Sequence, residues 1–554
     1  MFNKKISLLF ALCSALLLTA CNGARRAGGP VWQPGYAAVP ITPAPTRIQT
    51  DFNAPDFGMF GSGLPHYAPP ADIRNIAVLL PLSGPAEDLG RGIKTAIELA
   101  MTQRRQINVN MSFHDLSGNR AARQSTIANV IAASPDAIIG PIFAEDVLLV
   151  RDAKPADLPV ISFTSDVNSL GGGVMTMALM PSQSVEEIVR EAARNNSRGI
   201  VIFAPKSPSG ELMAGAATMA ANMHNVPTIG LFFYTEGDIN SMRAAARRAA
   251  MYDVRLAANI RAREILSEIS LDTNLTPAQR VSNTSQLDRL SRTNTVGTLP
   301  YDSVLFLGNA PDSRMLGSFM RYFDVGPRDA MFFGTAMWDG SELLGDLTFT
   351  GAHFAALPTM NADFARMFTH ITGAAPSRLD TFGFDAATLT LAMIHSNQTA
   401  PGFLLNPSGY LGIDGLYRLR PNGVIERALQ VMTITGGGAA RLHRAAVNNF
   451  MTPLYHVPAT VAPRGREIEI TRPTVNPINY IDIPPHWQPR FGTRAQVIAP
   501  QDAHRHIGAA PPQQPVVIVM GYNDEYRPTV VQTDGWQPLH SAVERHLIDE
   551  IVMN

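Results

Sequence analysis

Five consecutive apolar residues, Ile76-Ala77-Val78-Leu79-Leu80, constrain this chain more than any other feature. A run so short and so uniformly apolar has no polar face to show water, which suits a strand buried on both sides of a parallel sheet. Pro81 to Gly84 breaks the run. A helix is expected next, with Leu89, Ile93, Ala96, Ile97 and Ala100 on one face and Glu87 and Asp88 in its first turn, where the helix dipole favours acids. An alternating strand follows (Ile107, Val109, Met111, Phe113), then a turn at Asp115 to Asn119 and a helix to Ala133. Strands at Ala137-Ile138-Ile139 and Pro159 to Phe163 close a first block whose alternation predicts a doubly wound α/β unit.

A second set of the same kind is expected from near Val174. Met175 to Leu179, Gly199 to Phe203 and Thr228 to Tyr234 read as strands, with helices over Ser184 to Asn195 and Glu211 to Met223 and another after Asp238. About 251–299 the chain is rich in Arg, Ser, Thr and Asn. A structureless loop of that length is rare inside a compact domain. Leu256, Ile260, Ile265 and Ile269 recur at near-helical spacing, so a helical insertion is predicted. The alternation resumes with strand Ser303 to Leu307, a helix from Asp312, strand Ala330 to Phe333, a crossover near Gly351 to Leu357, two more helices and the hairpin Gly415 to Ile425. Beyond about Gly436-Gly437-Gly438 the chain turns Pro-rich. It holds only short strand candidates such as Val516 to Met520, and partial order is expected because Trp487 and Trp536 need somewhere to pack.

At 554 residues the chain exceeds one core, and two or three domains are the natural expectation. A net charge of -1 leaves no basic footprint for nucleic acid. The N-terminus has the layout of a secretory signal: Lys4 and Lys5, an apolar stretch from Ile6 to Leu17, then small residues. Its ending, Leu18-Thr19-Ala20-Cys21, resembles a bacterial lipobox, which implies lipidation of Cys21 and a membrane tether. Asn22 stands where that class carries Asp for inner-membrane retention, so an outer-membrane address facing the periplasm is expected, the outer face of an inner membrane being the alternative. Cys13 would leave with the signal and Cys21 would carry lipid, so no disulfide is expected. From 22 to 71 the chain is rich in Gly and Pro and reads as a spacer. At about 3.1 Å per extended residue it would reach roughly 150 Å.

Several strings, in order, resemble the leucine/isoleucine/valine-binding type of periplasmic binding protein. They are Ile76-Ala-Val-Leu-Leu-Pro-Leu-Ser-Gly84, then Gly90 and Gly92, Asp115, Ala137-Ile-Ile-Gly-Pro141, Leu158-Pro-Val-Ile-Ser162, Phe382-Gly-Phe-Asp-Ala386, and Gly415-Leu-Tyr-Arg-Leu with Asn422-Gly423. The resemblance covers about 73–435 and implies an α/β fold of two doubly wound Rossmann-like lobes joined by hinge crossovers, the periplasmic binding protein type 1 fold. The expected domains are a signal at 1–20, a spacer at 21–71, the two-lobed domain at 72–437 and a Pro-rich extension at 438–554. Lobe 1 is expected at about 72–173 and 355–410, and lobe 2 at about 174–354 and 411–437.

The resemblance implies an interlobe cleft, with Ser83, Gly84, Ala144, Thr164, Ser165, Lys206, Ser207, Trp338 and Asp339 as candidate lining. Ile142-Phe143-Ala144 stands where ligand-binding members place a hydroxyl, and Pro205-Lys-Ser-Pro-Ser-Gly210 replaces a Tyr-rich loop. Thr164 and Ser165 would still supply hydroxyls. A zwitterion leaves costly unmade bonds without charge-assisted partners, so these departures weigh against a tight amino-acid site. The lipobox, the spacer and the altered cleft together are similar to the penicillin-binding-protein activator lipoproteins, which implies contact with a peptidoglycan synthase. The alternative is a substrate-binding lipoprotein of an importer for an amino acid or amide.

Other chemistry is weakly represented. Gly84 to Gly92 has one residue too many for a phosphate loop and Arg91 in place of its Lys. Lys206 with Ser207 and Ser209 reads as a Ser/Lys catalytic arrangement, as an anion contact, or as a solvated lysine in a Pro-rich loop, the last being favoured. Trp338-Asp339 reads either as cleft lining or as a capping Asp beside a packed Trp. The histidines are scattered in sequence, so no metal site is expected, and neither a cofactor nor an enzymatic activity.

Overall fold

The computed structural model describes residues 73–102, 108–396, 398–455, 464–471 and 475–487, and the backbone of strands at 496–498, 519–522 and 528–532. The chain divides at Pro34 into two units, and every described residue belongs to the second. The signal segment, Cys21, the spacer and Trp536 lie outside the described residues.

The apolar run forms β1 (Arg74–Leu80), the second strand of a five-stranded parallel sheet in the order β2-β1-β3-β4-β5. Its partners are β2 (Val109–Asp115), β3 (Ala137–Ile139), β4 (Val160–Ser162) and β5 (Val174–Thr176). Register pairs Leu80 with Asp115, Val78 with Ile139, Ile139 with Ile161 and Ile161 with Met175. Helix α1 (Glu87–Thr102) buries Ile93, Ala96, Ile97 and Ala100 as expected, with Leu89 at the half-buried margin. Helices α2 (Arg120–Ala132) and α3 (Ala144–Ala153) complete the crossovers.

The second lobe opens with α4 (Pro181–Arg194), then β6 (Ile200–Pro205), α5 (Pro208–Met223), β7 (Thr228–Tyr234) and α6 (Ile239–Ala249). The insertion is a helical hairpin, α7 (Tyr252–Ser270) and α8 (Pro277–Ser291), the latter started by a Thr276/Gln279 capping box. Its buried face runs through Ala258, Ala262, Ile265, Leu266 and Ile269, so Leu256 and Ile260 are only half-buried. Strands β8 (Ser303–Phe306), β9 (Met331–Gly334) and β10 (His353–Ala356) follow, with α9 (Ala310–Tyr322) between the first two. Phe306 and Phe332 meet edge-on at 5.2 Å, and Trp338 and Phe349 likewise at 5.2 Å, inside a core that also takes Phe203, Phe232 and Phe354. Each such ring pair contributes about 0.5–1.5 kcal/mol beyond its buried area.

The chain then returns to the first lobe with α10 (Ala362–Thr372) and α11 (Arg378–His395). Helix α11 lies along α1, and two glycines set the spacing: a Cβ at Gly92 would collide with the Asp380 carboxylate, and one at Gly383 with Ile93. After the short α12 (Ala400–Leu404) comes a small antiparallel sheet, β11 (Tyr410–Gly412), β12 (Gly415–Leu419) and β13 (Ile425–Arg427). Finally β14 (Gln430–Gly436) and β15 (Ala439–Arg444) add an antiparallel edge to the second sheet, whose order is β15-β14-β10-β9-β8-β6-β7.

Strand pairing corrects the expected lobe boundaries. Val174–Thr176 satisfies the free edge of β4, so the first crossover falls after Thr176 rather than at 174. Strand β10 pairs with β9 and β14, which moves the second crossover from 355 to beyond Ala356. Strands β11 to β13 belong with the first lobe and not, as expected from 411, with the second. Ile413 N–H donates to Asp385 at 2.9 Å, and Thr176 N–H donates to the Gly423 carbonyl at 2.9 Å. The glycine run at 436–438 is a hairpin turn within the domain, not its end. All three residues have positive φ (85°, 67° and 84°), which glycine alone adopts without strain.

The chain beyond the hairpin continues to pack on the domain. Tyr455 is buried with its hydroxyl on Glu187 at 3.3 Å, and Glu426 accepts the Tyr455 N–H at 3.2 Å. Ile468 exchanges hydrogen bonds of 2.9 and 2.8 Å with Leu231, covering the outer edge of β7. Ile481 and Trp487 pack against the insertion. Strands β16 (Gln496–Ile498), β17 (Val519–Tyr522) and β18 (Pro528–Gln532) form a three-stranded antiparallel sheet, β16-β18-β17; of the apolar patch at 516–520, Val519 and Met520 lie in β17 and the rest is outside the described residues.

Candidate functional site

In parallel sheets, ligand sites lie beyond the carboxyl ends of the strands. The loops leaving those ends carry every candidate. Ser83 and Gly84 follow β1, Ala144 follows β3 and Thr164 and Ser165 follow β4. Lys206 and Ser207 follow β6, and Trp338 and Asp339 follow β9.

Most of the hydroxyls are already engaged by the chain itself. Ser83 Oγ donates to Asp115 at 2.6 Å, and Asp115 also accepts the Leu82 N–H at 2.7 Å and the Ser117 N–H at 3.0 Å. Desolvation pushes the Asp115 carboxyl up, but the bonds from Ser117, Ser83 and Leu82 outweigh it and hold the group below its usual range. Thr164 is buried and its hydroxyl accepts the Asp166 N–H at 3.1 Å, while Ser165 beside it is half-buried. Ser207 is the N-cap of α5, accepting the Gly210 N–H at 3.2 Å and lying 3.2 Å from Ser209 Oγ. Lys206 is exposed. Ala144 opens α3 behind Phe143, which makes no side-chain cap, and neither side chain carries a hydroxyl.

Trp338 corrects the cleft expectation. It is fully buried among Phe306, Phe349 and Phe354, and its indole N–H donates to Ser313 Oγ at 3.2 Å. The large apolar ring gains more from the aromatic core than from a cleft wall. Asp339 does face the junction, as an ion-pair partner rather than an N-cap; Thr335 caps that turn.

The junction is built on charges that sequence reasoning missed. Helix α11 starts with a Ser377/Asp380 capping box, which aims Arg378 toward the second lobe. Its guanidinium donates to the Pro358 carbonyl at 3.1 Å and to Asp339 at 3.3 Å, and it also pairs with Asp414, which takes the Thr381 hydroxyl as well. One side chain thus holds a first-lobe carboxylate and a second-lobe carboxylate. Burial raises the Asp339 carboxyl despite the Arg378 cation beside it.

A second cation lies deeper. Arg427 ends β13, is fully buried, donates to the Met177 carbonyl at 2.7 Å, and sits over the Phe382 ring at 4.3 Å and the Tyr417 ring at 5.3 Å. Gln183 accepts the Arg427 N–H at 3.1 Å and donates to the Ile425 carbonyl, tying α4 to the crossover. Desolvation raises the Asp385 carboxyl to about 7, against the pull of Arg427. Only Asp385 had a sequence signal, in its Phe-Gly-Phe-Asp-Ala string; Arg378, Asp414 and Arg427 had none.

In the second lobe, Tyr234, Glu236 and Asp312 gather at the ends of β7 and β8. Burial raises the Asp312 carboxyl, and burial together with the Asp312 charge raises that of Glu236. This acidic group was also missed, because Asp312 lies 76 residues beyond Glu236 in sequence.

Two three-layer α/β lobes, a chain that crosses between them, and junction loops at the strand ends define a protein of the periplasmic binding protein type 1 fold. No protein-family model matches the sequence, and no curated protein matches it. Among solved structures, the chain is similar to a putative branched-chain amino acid ABC transporter from Rhodospirillum rubrum, with a TM-score of 0.52 and 13% identity, covering 67% of this chain and all of that one. It is also similar to the leucine binding protein LivK of Thermotoga maritima (TM-score 0.42, 16% identity, 68% of this chain and 99% of that one). The C-domain of LpoA from Haemophilus influenzae, a regulator of PBP1A, is matched with a TM-score of 0.44 and 15% identity over 66% of this chain and 99% of that one. At these identities the likeness is one of fold, and function rests on the site.

Proposed function

We propose that this chain is a lipid-tethered, non-catalytic regulator of cell-wall synthesis that acts by contact with a peptidoglycan synthase of the penicillin-binding class. The observation that supports this most is the state of the cleft hydroxyls: Ser83, Thr164 and Ser207 are each committed to the protein's own groups. Turning the Ser83 hydroxyl to an amino-acid carboxylate would require breaking its bond to Asp115, at roughly 1 kcal/mol, while Thr164 and Ser207 are held in place as acceptors of backbone N–H groups. Arg378, the cation at the junction, is likewise held by Asp339 and Asp414. A protein partner reads an outer surface and needs none of these groups. The tether at Cys21 and the spacer to residue 71, with its reach of roughly 150 Å, would let such a domain meet a synthase across the periplasm from the outer membrane.

Calorimetry of the purified protein against a panel of amino acids and amides is expected to give no saturable binding in the micromolar range, and a penicillin-binding synthase is expected to be retained by the immobilised protein. Micromolar amino-acid binding with no retained synthase would overturn the proposal. A second reading, a substrate-binding lipoprotein, is favoured by the Tyr234, Glu236 and Asp312 group, whose raised carboxyls would welcome a small ligand bearing an ammonium group. On that reading the same panel yields binding by a cationic amine or amide, lost in Asp312→Asn.

A further inference from the structure

Away from the cleft loops, at the opposite end of β10, the fold gathers three residues that the sequence keeps far apart. Glu191 lies near the end of α4 and its side chain is fully buried. His353 is the first residue of β10, also buried, packed edge-on against Phe333 at 5.9 Å. His443 lies on the exposed edge strand β15. The pairing of β14 with β15 is irregular here: Val431 opposes Arg444 and Met432 opposes Leu442, leaving His443 as the extra residue of a bulge. A bulge re-aims side chains. In a regular strand His443 and Arg444 would point to opposite faces, yet both reach Glu191, at 3.1 Å from His443 Nε2 and 2.7 Å from Arg444 Nε.

The geometry points to Glu191, His353 and His443 as a site for a divalent transition metal of the zinc class. Each residue offers one ligand atom, and the three atoms lie within 4.8 Å of one another. Ligand atoms around a tetrahedral zinc ion stand about 3.3 Å apart, so the set needs a contraction of at most about 1.5 Å. Two imidazoles and one carboxylate favour Zn²⁺, Ni²⁺ or Cu²⁺ over Mg²⁺ or Ca²⁺, which prefer oxygen alone. Water would take the fourth position.

One further observation supports the assignment. His353 Nδ1 is buried with no hydrogen-bond partner, and orphaned buried polar atoms are rare unless something else occupies them. Arg444 and Arg194 now share Glu191 with His443, but their side chains are 42% and 40% exposed and can turn to water when a metal arrives. Arg444 can equally stay on Oε2 as an outer partner that orients the carboxylate. Either way, the metal would clip the edge hairpin β14–β15 onto α4.

The test is a Zn²⁺ titration of the purified full chain after chelator treatment and dialysis, with Co²⁺ absorption as a second readout. One equivalent is expected to bind at micromolar affinity or tighter, with a rise in Tm and a Co²⁺ spectrum of tetrahedral intensity. His443→Ala, on an exposed strand where folding is safe, is expected to weaken that binding at least tenfold, while His370→Ala on the exposed face of α10 leaves it unchanged. The proposal is overturned if the wild-type chain takes up no stoichiometric metal, or if His443→Ala binds it as tightly as wild type. Neither result bears on the cleft, so the functional proposal stands or falls separately.

Discussion

Arg378 is the most informative residue to change. Replacing it with Met keeps an unbranched apolar stem and removes the charge from two carboxylates at once. The two differ in what they can do afterwards. The Asp414 side chain is fully buried and would keep the Thr381 hydroxyl and the more distant charge of Arg427. A buried charge stripped of its ion partner costs about 3–5 kcal/mol. Asp339 remains 24% exposed and can regain water, so its share is about 1 kcal/mol. Arg378→Met should therefore lower unfolding stability by about 4–6 kcal/mol, whereas Asp339→Ala, which leaves Arg378 on Asp414, should cost about 1 kcal/mol. The double variant Arg378→Met/Asp414→Asn should recover most of the loss, because it removes the stranded charge. Urea denaturation followed by circular dichroism, with m-values compared between variants, measures all three. The reasoning fails if Arg378→Met costs less than about 1 kcal/mol, or if Asp339→Ala costs as much as Arg378→Met.

Two other outcomes follow from the same structure. Asp385 has a folded-state pKa of about 7 against an ordinary value of 3.8, so folding favours its neutral form. The stability this contributes is fully present below about pH 4 and is lost as pH rises through 7, a fall on the order of 4 kcal/mol. Asp385→Asn should flatten that part of the pH–stability curve, and an unchanged slope would refute the assignment. Trp338→Ala should cost about 3–5 kcal/mol through the cavity it leaves among Phe306, Phe349 and Phe354, without altering calorimetric titrations of the ligand panel. A stable variant with changed ligand heats would return Trp338 to the cleft wall.

What the sequence revealed follows the range of each interaction. The Ile76 to Leu80 run declared a buried strand because its burial is written in consecutive residues. The insertion was legible for the same reason, although its true buried face is shifted from Leu256 and Ile260 toward Ala258 and Ala262. Boundaries were less legible. Val174–Thr176 is as apolar as a second-lobe strand would be, and only its hydrogen-bonded neighbour tells which sheet it joins. Glycines 436–438 mark a hairpin turn, and a turn inside a domain has the same composition as a linker between domains. The junction was hidden because Arg378, Asp414 and Arg427 meet only after the chain has crossed between lobes. The Glu191, His353 and His443 cluster was hidden more deeply still. Its members come from a helix, a central strand and a bulged edge, and no spacing rule links them.

The central claim is that this two-lobed domain works by touching a synthase and not by carrying a small molecule. The most direct measurement is the glycan-polymerising and cross-linking rate of a purified penicillin-binding synthase, with and without an equimolar amount of this protein. The account predicts a rate increase that persists in Ser83→Ala and Thr164→Ala, whose hydroxyls serve the protein itself. An unchanged rate, alongside micromolar capture of an amino acid, would contradict it.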